Sequence, residues 1–379
     1  MDITKFKSGN FLKQTAYKSF SPTKIHQTWE ITDAQLNQLL SEANRYLGEL
    51  NGLSQVIPDI DFFIMMHVIK EATTSSKIEG TQTSIEEALL KKEELNPERR
   101  NDWQEVHNYI EAMNQAIEQL EKLPLSNRLL RNTHETLLQG VRGSQKMPGE
   151  FRTSQNWIGG ATLADATFIP PHYQEVPDLM SDLELFLNDG ELFTPHLIKI
   201  GIAHYQFETI HPFLDGNGRI GRLLITLYLV DQKILLKPTL YLSDFFEQNR
   251  QLYYDNLSIV RTQNNLTQWL KFFLVGVIQT SQKAIQTFKE IVQLREKIEK
   301  KDILTLGRKI PNAQKLVLQL YKQPFITIAE IAENLECSIQ TANTLTKNFV
   351  KLGILKENKG YKRNQLFEFE QYVRIFTKN

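Results

Sequence analysis

A twelve-residue segment, positions 211–222, combines side chains that can move a proton, hold a cation and bind phosphate; it reads His-Pro-Phe-Leu-Asp-Gly-Asn-Gly-Arg-Ile-Gly-Arg. The imidazole of His211 changes protonation near neutral pH and suits a general base. Asp215 supplies a carboxylate of the kind that binds Mg²⁺ together with phosphate oxygens. We therefore predict a site for phosphate chemistry in this segment.

The local structure predicted for the segment supports this interpretation. Pro212 stops the preceding helix at His211, and residues 215–218 form a turn with two glycines. Such a turn lets backbone N–H groups converge on a ligand, and the helix that follows adds the positive end of its dipole. Arg219 and Arg222 are three residues apart on one face of that helix, where their planar guanidinium groups match phosphate oxygens.

Simpler interpretations of the same residues remain open. Most Gly-x-Gly turns only reverse the chain, and a lone histidine at a helix end is more often a cap or a core residue. His211 and Asp215 could also be two ligands of a zinc ion, but a third convincing ligand is missing from the sequence. The combination of His, Asp, Asn, two Gly and two Arg within twelve residues favours the functional interpretation.

Helices are predicted to position this segment. The spacing of apolar residues predicts them at 32–51, 62–79, 85–92, 102–122, 127–138, 194–208, 218–232, 243–260 and 267–300. Caps are expected at Asp33, at Asp59 or Asp61, and in a Ser84–Glu87 capping box. Residues 1–30 are predicted to be an extended, docked arm, and residues 147–173 a loop or β-hairpin with strands at 156–158 and 167–169.

A different pattern follows, of three helices (312–322, 328–335, 339–352) and two strands (354–357, 365–369), which is a winged-helix order of elements. Residues 305–379 hold 12 basic and 6 acidic side chains, so the overall charge of zero, from 44 of each, hides a tail of +6. Polar residues along the third helix and basic residues in the wing could contact DNA; these are Gln340, Thr341, Asn343, Thr344, Lys347, Lys359, Lys362 and Arg363.

Composition excludes several classes. Cys337 is the only cysteine, so an intrachain disulfide and a multi-cysteine metal site are both excluded. The N-terminus lacks the apolar region of a signal peptide, and no apolar stretch approaches the ~20 residues that cross a bilayer. We expect a soluble protein with a cytoplasmic location and no membrane contact.

Positions 211–222 resemble the signature of the Fic family, His-Pro-Phe-x-Asp-Gly-Asn-Gly-Arg-x-x-Arg, and match it at every specified position. The resemblance extends to residues 157–160, 166–171 and 240–243. It implies a mainly α fold, with a Fic-type helical core, a β-hairpin flap and a C-terminal winged-helix domain. The implied division is 1–100 for the arm and first helices, 101–300 for the catalytic core, and 305–379 for the winged helix.

The resemblance also implies an activity, the transfer of AMP from ATP to a Ser, Thr or Tyr hydroxyl of a target protein. His211 would be the base, Asp215 would hold Mg²⁺, and the flap at 151–171 would align the target segment by strand addition. The residues expected to bind the nucleotide are Gly216, Asn217, Gly218, Arg219, Ile220, Gly221, Arg222 and, at the adenine, Tyr254. Tyr253 and Asn256 are alternatives near the adenine, and either tyrosine could belong to the core.

A second segment, Ser75-Ser76-Lys77-Ile78-Glu79-Gly80, resembles the inhibitory motif of the family. Ser75 and Glu79 share a helix face because they are four residues apart. The resemblance implies that Glu79 pairs with Arg222 and so displaces the γ-phosphate of ATP. The simpler interpretation of Glu79 is a solvated acid at a helix end.

Three other functions stay open on the sequence. The protein could be a DNA-binding regulator that acts through its tail. It could transfer another nucleotide or phosphocholine, and it could remove AMP with Glu79 positioning a water molecule. A homodimer is plausible because the core helices have apolar faces.

Overall fold

The structure is a computed structural model that describes residues 1–57, 60–358 and 365–377. Helices form most of these residues. The helices that surround the 211–222 segment are α1 Ala34–Val56, α2 Ile60–Ile78, α3 Ile85–Ala88, α4 Arg100–Gln119, α5 Asn127–Leu137, α6 Val176–Asn188, α7 His196–Ile210, α8 Asn217–Asp231, α9 Ser243–Gln248, α10 Arg250–Gln263 and α11 Leu266–Lys297. None of the helices in the described part of the chain has the length and apolar character that crossing a membrane requires.

Helices α7 and α8 form the centre of the molecule. Every residue of α7 from Leu197 to Ile210 is buried, and so are most residues of α8. A helix that is apolar on all sides must be surrounded by other elements. Helices α1 and α11 pack along each other at one side of this pair, and α4 and α5 pack at another. The α7–α8 pair is therefore enclosed by other helices.

The predicted caps explain where several helices begin. The Asp33 carboxylate accepts a hydrogen bond from the Leu36 amide at 2.7 Å. Ser84 and Glu87 form the predicted capping box at the start of α3. Asp61 lies within the first turn of α2 instead of capping it, and Asp59 lies outside the described residues.

Two predicted helices differ from the structure. Residues 243–260 form two helices instead of one, because Asn249 leaves the helical conformation with φ −115° and ψ 35° and its amide donates to the Phe245 carbonyl. An asparagine side chain that bonds nearby backbone competes with helix in this way. The helix predicted at 85–92 ends at Ala88, since Leu89 and Leu90 turn aside to pack against apolar residues of the C-terminal segment.

The arm contains an antiparallel hairpin that the sequence did not predict. Strands β1 Gly9–Lys13 and β2 Lys18–Pro22 pair with Phe11 opposite Phe20. The Phe20 amide donates to the Ile169 carbonyl at 3.0 Å, so the hairpin supports the 147–173 loop. That loop holds a single bridge, Ile158 to Phe168, in place of two longer strands.

The C-terminal segment contains the predicted three helices and two strands in the predicted order and adds one strand, β3 Phe325–Thr327, and one helix, α15 Glu370–Thr377. Its elements are α12 Ile310–Lys322, β3 Phe325–Thr327, α13 Ile328–Asn334, α14 Ile339–Lys351, β4 Lys356–Asn358, β5 Leu366–Glu368 and α15 Glu370–Thr377. The strands form an antiparallel sheet in the order β3-β5-β4. The predicted wing residues Lys359, Lys362 and Arg363 lie outside the described residues, and α15 was not predicted.

Aromatic contacts join this segment to α2. The Phe63 ring lies 5.5 Å from Tyr321 and 6.4 Å from Tyr372, measured between ring centroids. His67, one turn further along α2, lies 5.1 Å from Phe376 of α15. Helix α2 thus stands between the central helices and the C-terminal segment.

Candidate active site

The turn between α7 and α8 presents the predicted site residues from one short loop. Helix α7 ends at His211, which adopts the left-handed conformation with φ 50°, and Gly216 does the same with φ 75° directly before α8. The Asn217 side chain closes the loop, since it accepts from the Phe213 amide and donates to the Phe213 carbonyl, each at 2.8 Å. These contacts fix the direction in which the first turn of α8 faces.

Two residues of the 147–173 loop hold the turn from outside. The Arg152 guanidinium donates to the carbonyls of His211 at 2.9 Å and Pro171 at 2.6 Å. Asn156 donates to the Phe213 carbonyl at 2.9 Å. Burial lowers the pKa of Arg152 to about 10. Carbonyl oxygens thus solvate this buried cation and tie the loop to the end of α7.

His134 of α5 supports the other side of the loop. Its Nε2 lies 3.0 Å from the Asp215 carbonyl oxygen, and its Nδ1 accepts from the Gly149 amide at 2.9 Å. The ring stacks on Phe213 with centroids 3.8 Å apart. Burial lowers the pKa of His134 to about 4, so the ring is neutral and its Nε2 carries the donated hydrogen.

His211 is half-buried, and its Nδ1 has no hydrogen-bond partner among the described residues. Burial, helped by the charge of Arg152, lowers the pKa of His211 to about 4. The imidazole is consequently neutral at physiological pH, which is the form that can accept a proton.

Asp215 and Arg219 lie together at the start of α8. The Asp215 carboxylate is about one third exposed and lies 3.6 Å from Arg219 Nη2. Arg219 is buried, and its Nη1 lies 3.4 Å from a carboxylate oxygen of Glu105 in α4. No cluster of three His, Cys, Asp or Glu side chains suited to a metal occurs within the ranges that the structure describes. An ion at Asp215 would thus take most of its ligands from phosphate and water, which is the usual manner of Mg²⁺.

Arg222 meets the 75–80 segment at the C-terminal end of α2. Its Nη2 donates to Glu79 Oε1 at 2.8 Å and to the Ser75 carbonyl at 2.9 Å, and its Nε donates to Ser75 Oγ at 2.9 Å. Burial opposes ionisation of Glu79, but Arg222 outweighs it and leaves the pKa of Glu79 below its usual value. A Cβ on Gly218 would collide with the Glu79 carboxylate, so glycine is required there while Glu79 is in place.

A second carboxyl group, Glu208 of α7, approaches the same turn of α8 from the inside. A Cβ on Gly221 would collide with Glu208 Oε1, and this oxygen has no hydrogen-bond partner among the described residues. Burial raises the pKa of Glu208 to about 7. The Gly221 carbonyl bonds His204 Nδ1 at 2.8 Å, and His204 Nε2 lies 2.9 Å from the Tyr253 hydroxyl.

The residues predicted to lie near the nucleotide differ in their surroundings. Tyr253 is buried and bonded to His204, whereas Tyr254 is 39% exposed. Burial raises the pKa of Tyr254; the charge of Glu79 raises it further, and that of Arg222 lowers it. The Ile220 side chain lies in the core and its amide donates to the Gly216 carbonyl, so Ile220 offers a ligand no free polar group. Asn256 is buried, and its amide donates to the Leu252 carbonyl.

The sequence did not indicate several residues that shape the site, namely His134, Arg152, Asn156, Glu105 and Glu208. Arg152 and His211 are 59 positions apart, and Glu105 and Arg219 are 114 apart. No spacing rule connects such distant positions. Only Glu208, a charged residue within the apolar run of α7, carried a signal that could have identified it.

Two family models match the chain: the Fic/DOC family N-terminal model over residues 37–118, and the Fic/DOC family model over residues 124–229. The first match contains Ser75 and Glu79, and the second contains the whole 211–222 segment. The chain belongs to the Fic/DOC family. Solved Fic structures agree with this fold.

A Fic family protein from Desulfovibrio desulfuricans superposes with a TM-score of 0.56 at 20% identity, over 90% of this chain and 98% of that one. A Fic domain-containing signaling protein from Bacteroides thetaiotaomicron gives a TM-score of 0.52 at 20% identity, over 68% and 97%. At these identities the two structures support the shared fold.

Curated relatives match a shorter part of the chain. The protein adenylyltransferase Fic of Aedes aegypti is 34% identical over 125 residues, which are 33% of this chain and 22% of the relative. The protein of the same name from Drosophila melanogaster is 32% identical over 130 residues, 33% of this chain and 25% of the relative. The chain thus aligns with only about a quarter of the length of these relatives.

Proposed function

We propose that this Fic protein transfers AMP from ATP to a hydroxyl group of a protein and releases pyrophosphate. One observation carries the proposal. A neutral His211 and the first turn of α8, with Arg219 and Arg222 on one face, are presented by a single loop that α5 and the 147–173 loop hold from both sides. The names of the curated relatives point to the same reaction.

In the proposed reaction the hydroxyl oxygen of a Ser, Thr or Tyr bonds to the α-phosphorus of ATP. The bond between that phosphorus and the bridging oxygen to the β-phosphate breaks, and pyrophosphate leaves. His211 accepts the hydroxyl proton. Its low pKa keeps the ring unprotonated at neutral pH and so available as the base.

The remaining site residues bind and orient the nucleotide. The N–H groups at the start of α8, at Asn217 and Gly218, face the phosphates and stabilise the charge that builds up during transfer. The Gly216 N–H donates to the Asp215 carboxylate at 2.6 Å and so orients that side chain. Arg219 and Arg222 hold the outer phosphates, and Tyr254 borders the adenine. Asp215 holds Mg²⁺, which neutralises phosphate charge when it is bound.

We further propose that the protein is autoinhibited. Arg222 already has three hydrogen bonds to Ser75 and Glu79, and the Glu79 carboxylate occupies the space beside Gly218. A γ-phosphate would need the same guanidinium group. ATP can therefore reach a reactive arrangement only after Glu79 moves away from Arg222.

The flap at 151–171 aligns the target segment in this proposal. The Ile158–Phe168 bridge makes part of the flap extended, and the arm supports it from behind through Phe20. Trp157 beside the bridge is 38% exposed. An extended target segment can add to such an edge through main-chain hydrogen bonds.

A second function, DNA binding by a winged helix at 305–379, is favoured by the surface of α14. Gln340, Thr341, Thr344 and Lys347 are exposed along one side of this helix, while Ala342 and Leu345 are buried on the other. We propose this as an addition to the enzyme, with domains at 1–100, 101–300 and 305–379. Binding of the full-length protein to duplex DNA should weaken steeply with salt if it occurs.

The proposed reaction is tested with ATP labelled either at the α- or at the γ-phosphate, in the Glu79→Gly variant. The α-label should become covalently attached to protein, the γ-label should not, and pyrophosphate should be released. His211→Ala in the same background should abolish attachment. Attachment of the γ-label, or attachment that survives His211→Ala, would contradict the proposal.

Parallel reactions with labelled UTP and GTP determine the nucleotide preference. A protein that carries AMP, incubated with wild type and with Glu79→Gly, tests AMP removal. Release that requires Glu79 would show that the same site works in both directions.

A further inference from the structure

Helix α2 has a second polar face, on the side opposite to Ser75 and Glu79. Phe63, His67, Lys70, Thr74 and Lys77 follow one another at three- and four-residue steps. At 3.6 residues per turn these positions fall on the far side of the helix from the face that meets Arg222. This second face looks toward α9, α11 and the C-terminal helix α15.

A small cavity lies against this face. It is lined by His67 and Lys70 from α2, Tyr241 and Asp244 before and within α9, Lys283 from α11, and Phe376 from α15, among others. Its volume is about 40 Å³. A site needs roughly 10–15 Å³ to hold one water molecule, so this space accepts a few waters or one small polar group.

Two buried polar atoms at the cavity have no partner in the part of the chain that the structure describes. They are Nε2 of His67, which is 8% exposed, and the hydroxyl of Tyr241, which is 7% exposed. Buried polar atoms are nearly always hydrogen-bonded, and leaving one unpaired costs about 1–3 kcal/mol. Both side chains line the cavity, so a ligand there would lie beside two groups that lack partners among the described residues.

The ionised groups around the cavity are short of negative charge. Lys70 and Lys283 share one carboxylate, Asp244, at 3.6 and 2.6 Å. Burial lowers the pKa of Lys70 and the neighbouring Lys283 lowers it further, against the effect of Asp244. The other carboxyl group at the cavity, Glu71, accepts from the hydroxyls of Tyr109 and Ser243, and burial raises its pKa, which favours its neutral form.

The cavity continues into an open cleft of about 730 Å³ between α2, α9 and the end of α15. Lys70, Asp244 and Phe376 belong to both spaces. Hydroxyl-bearing residues also line the cleft, among them Thr83, whose own hydroxyl is buried and has no hydrogen-bond partner among the described residues. A small molecule could place one group in the cavity and its body in the cleft.

We propose that this cavity and cleft, on the side of α2 opposite to Arg222, bind a small molecule through an oxoanion group, a phosphate or a carboxylate. Its oxygens would accept hydrogen bonds from Lys70, Lys283 and the Tyr241 hydroxyl, and its charge would balance the second lysine. Such a site lies apart from the 211–222 segment and does not depend on AMP transfer. The site lies against α2, the helix that leads directly into Glu79. A ligand bound there and the contact between Glu79 and Arg222 would therefore both involve this helix.

The test measures the thermal stability of the full-length protein in inorganic phosphate, in acetate and in chloride at equal ionic strength. Binding to the folded state should raise the Tm of wild type by about 1–2 °C in at least one oxoanion over chloride. Lys283→Met should lose most of this rise. Lys289→Met is the matched control, because Lys289 is an exposed lysine on the same helix that pairs with Glu49; it should keep the full rise.

The Tyr241→Phe variant distinguishes the loss of oxoanion binding from a general loss of stability. It removes a hydroxyl that has no partner in the free protein, so the Tm in chloride should stay the same or rise, while the oxoanion effect should fall by half or more. The oxoanion that raises the Tm identifies the source as phosphate or carboxylate.

Two outcomes overturn the proposal. If neither oxoanion raises the Tm of wild type, the cavity holds only water. If wild type and Lys283→Met respond equally, the anions bind elsewhere, for example at Arg219. Neither outcome bears on AMP transfer, which is measured separately.

Discussion

The two arginines in the first turns of α8 are both buried and only three residues apart, yet they are held in different ways. Arg222 makes three hydrogen bonds of 2.9 Å or less, two to Ser75 of α2 and one to Glu79 just after the helix. Arg219 lies 3.4 Å from Glu105 and 3.6 Å from Asp215, and its Nε has no partner among the described residues.

The difference indicates which arginine can be controlled. Among the described residues, the hydrogen-bond partners of Arg222 all come from the C-terminal end of α2 and from Glu79 just after it, so a small movement of that end would release the guanidinium group. The partners of Arg219 come from α4 and from the loop directly before α8. A buried charge needs a partner at all times. On the proposed function we expect Arg222 to exchange Glu79 for a phosphate when a nucleotide binds, and Arg219 to keep its contact with Glu105.

The largest expected effect is the loss of Arg222 once inhibition is removed. In the Glu79→Gly background, Arg222→Ala should lower the rate of AMP transfer about 100-fold or more, because it removes a charged donor from the reacting phosphates. The single-turnover rate with labelled ATP measures this. A loss of less than about threefold would mean that Arg222 does not hold the phosphates.

A change at the contact between Arg219 and Glu105 should alter the stability of the protein more than its inhibition. Glu105→Gln removes the carboxylate nearest to a buried guanidinium and should lower the free energy of unfolding by about 1–3 kcal/mol. Denaturant unfolding measures this, with Glu111→Gln, an exposed position on the same helix, as control. Automodification by an otherwise wild-type protein should change little. A large increase in automodification would show that Glu105 itself contributes to autoinhibition.

Ser75 should contribute less than Glu79 to the inhibited state. Ser75→Ala removes the hydrogen bond to Arg222 Nε but leaves the one to the Ser75 carbonyl. Losing one such bond, about 0.5–1.5 kcal/mol, should raise automodification about two- to tenfold. Ser76→Ala is the matched control, since the Ser76 hydroxyl is buried without a partner among the described residues and should leave the rate unchanged. Equal increases in both variants would assign the effect to a general loosening of α2.

The smallest effect is expected from pH. The folded-state pKa of His211 is about 4, so the neutral base persists as the pH falls. AMP transfer by Glu79→Gly should change less than about twofold between pH 8 and pH 6, whereas a base with the ordinary pKa of about 6.5 would lose roughly three quarters of its active form. A half-maximal rate near pH 6.5 would contradict the lowered pKa of His211.

Low pKa values of other buried histidines limit the pH range over which the rate of AMP transfer can be compared. Burial also lowers the pKa of His134 to about 4 and of His204 to about 3. Neutral histidines of this kind contribute stability that is fully present above about pH 6.5 and is lost as the pH falls toward their folded-state values. The free energy of unfolding should therefore be lower at pH 5 than at pH 7, and rates are best compared at pH 6 and above.

The sequence was most informative where the site is contiguous. Residues 211–222 carry a proline stop, a glycine turn and two arginines at helical spacing, and each predicts local geometry that the structure contains. The contact between Glu79 and Arg222 was expected from the family resemblance, since no local rule relates positions 143 residues apart.

What the sequence could not predict depends on tertiary contacts. Arg152 and Asn156 are ordinary polar residues in a long loop until folding brings them to the carbonyls of the α7–α8 turn. The break at Asn249 has a side-chain cause that apolar periodicity cannot show. Helix α15 was missed because its apolar face is filled by contacts with distant residues of α2 and α12.

The most direct test of the central claim, that Glu79 holds Arg222 in an inhibited site, compares the initial rates of α-labelled AMP incorporation by wild type and Glu79→Gly. A bias of about 1.4 kcal/mol changes a population tenfold, so we predict that the variant is at least about ten times faster. Glu79→Gln, which keeps the shape but not the charge, should lie between the two. Equal rates for wild type and Glu79→Gly would contradict the account.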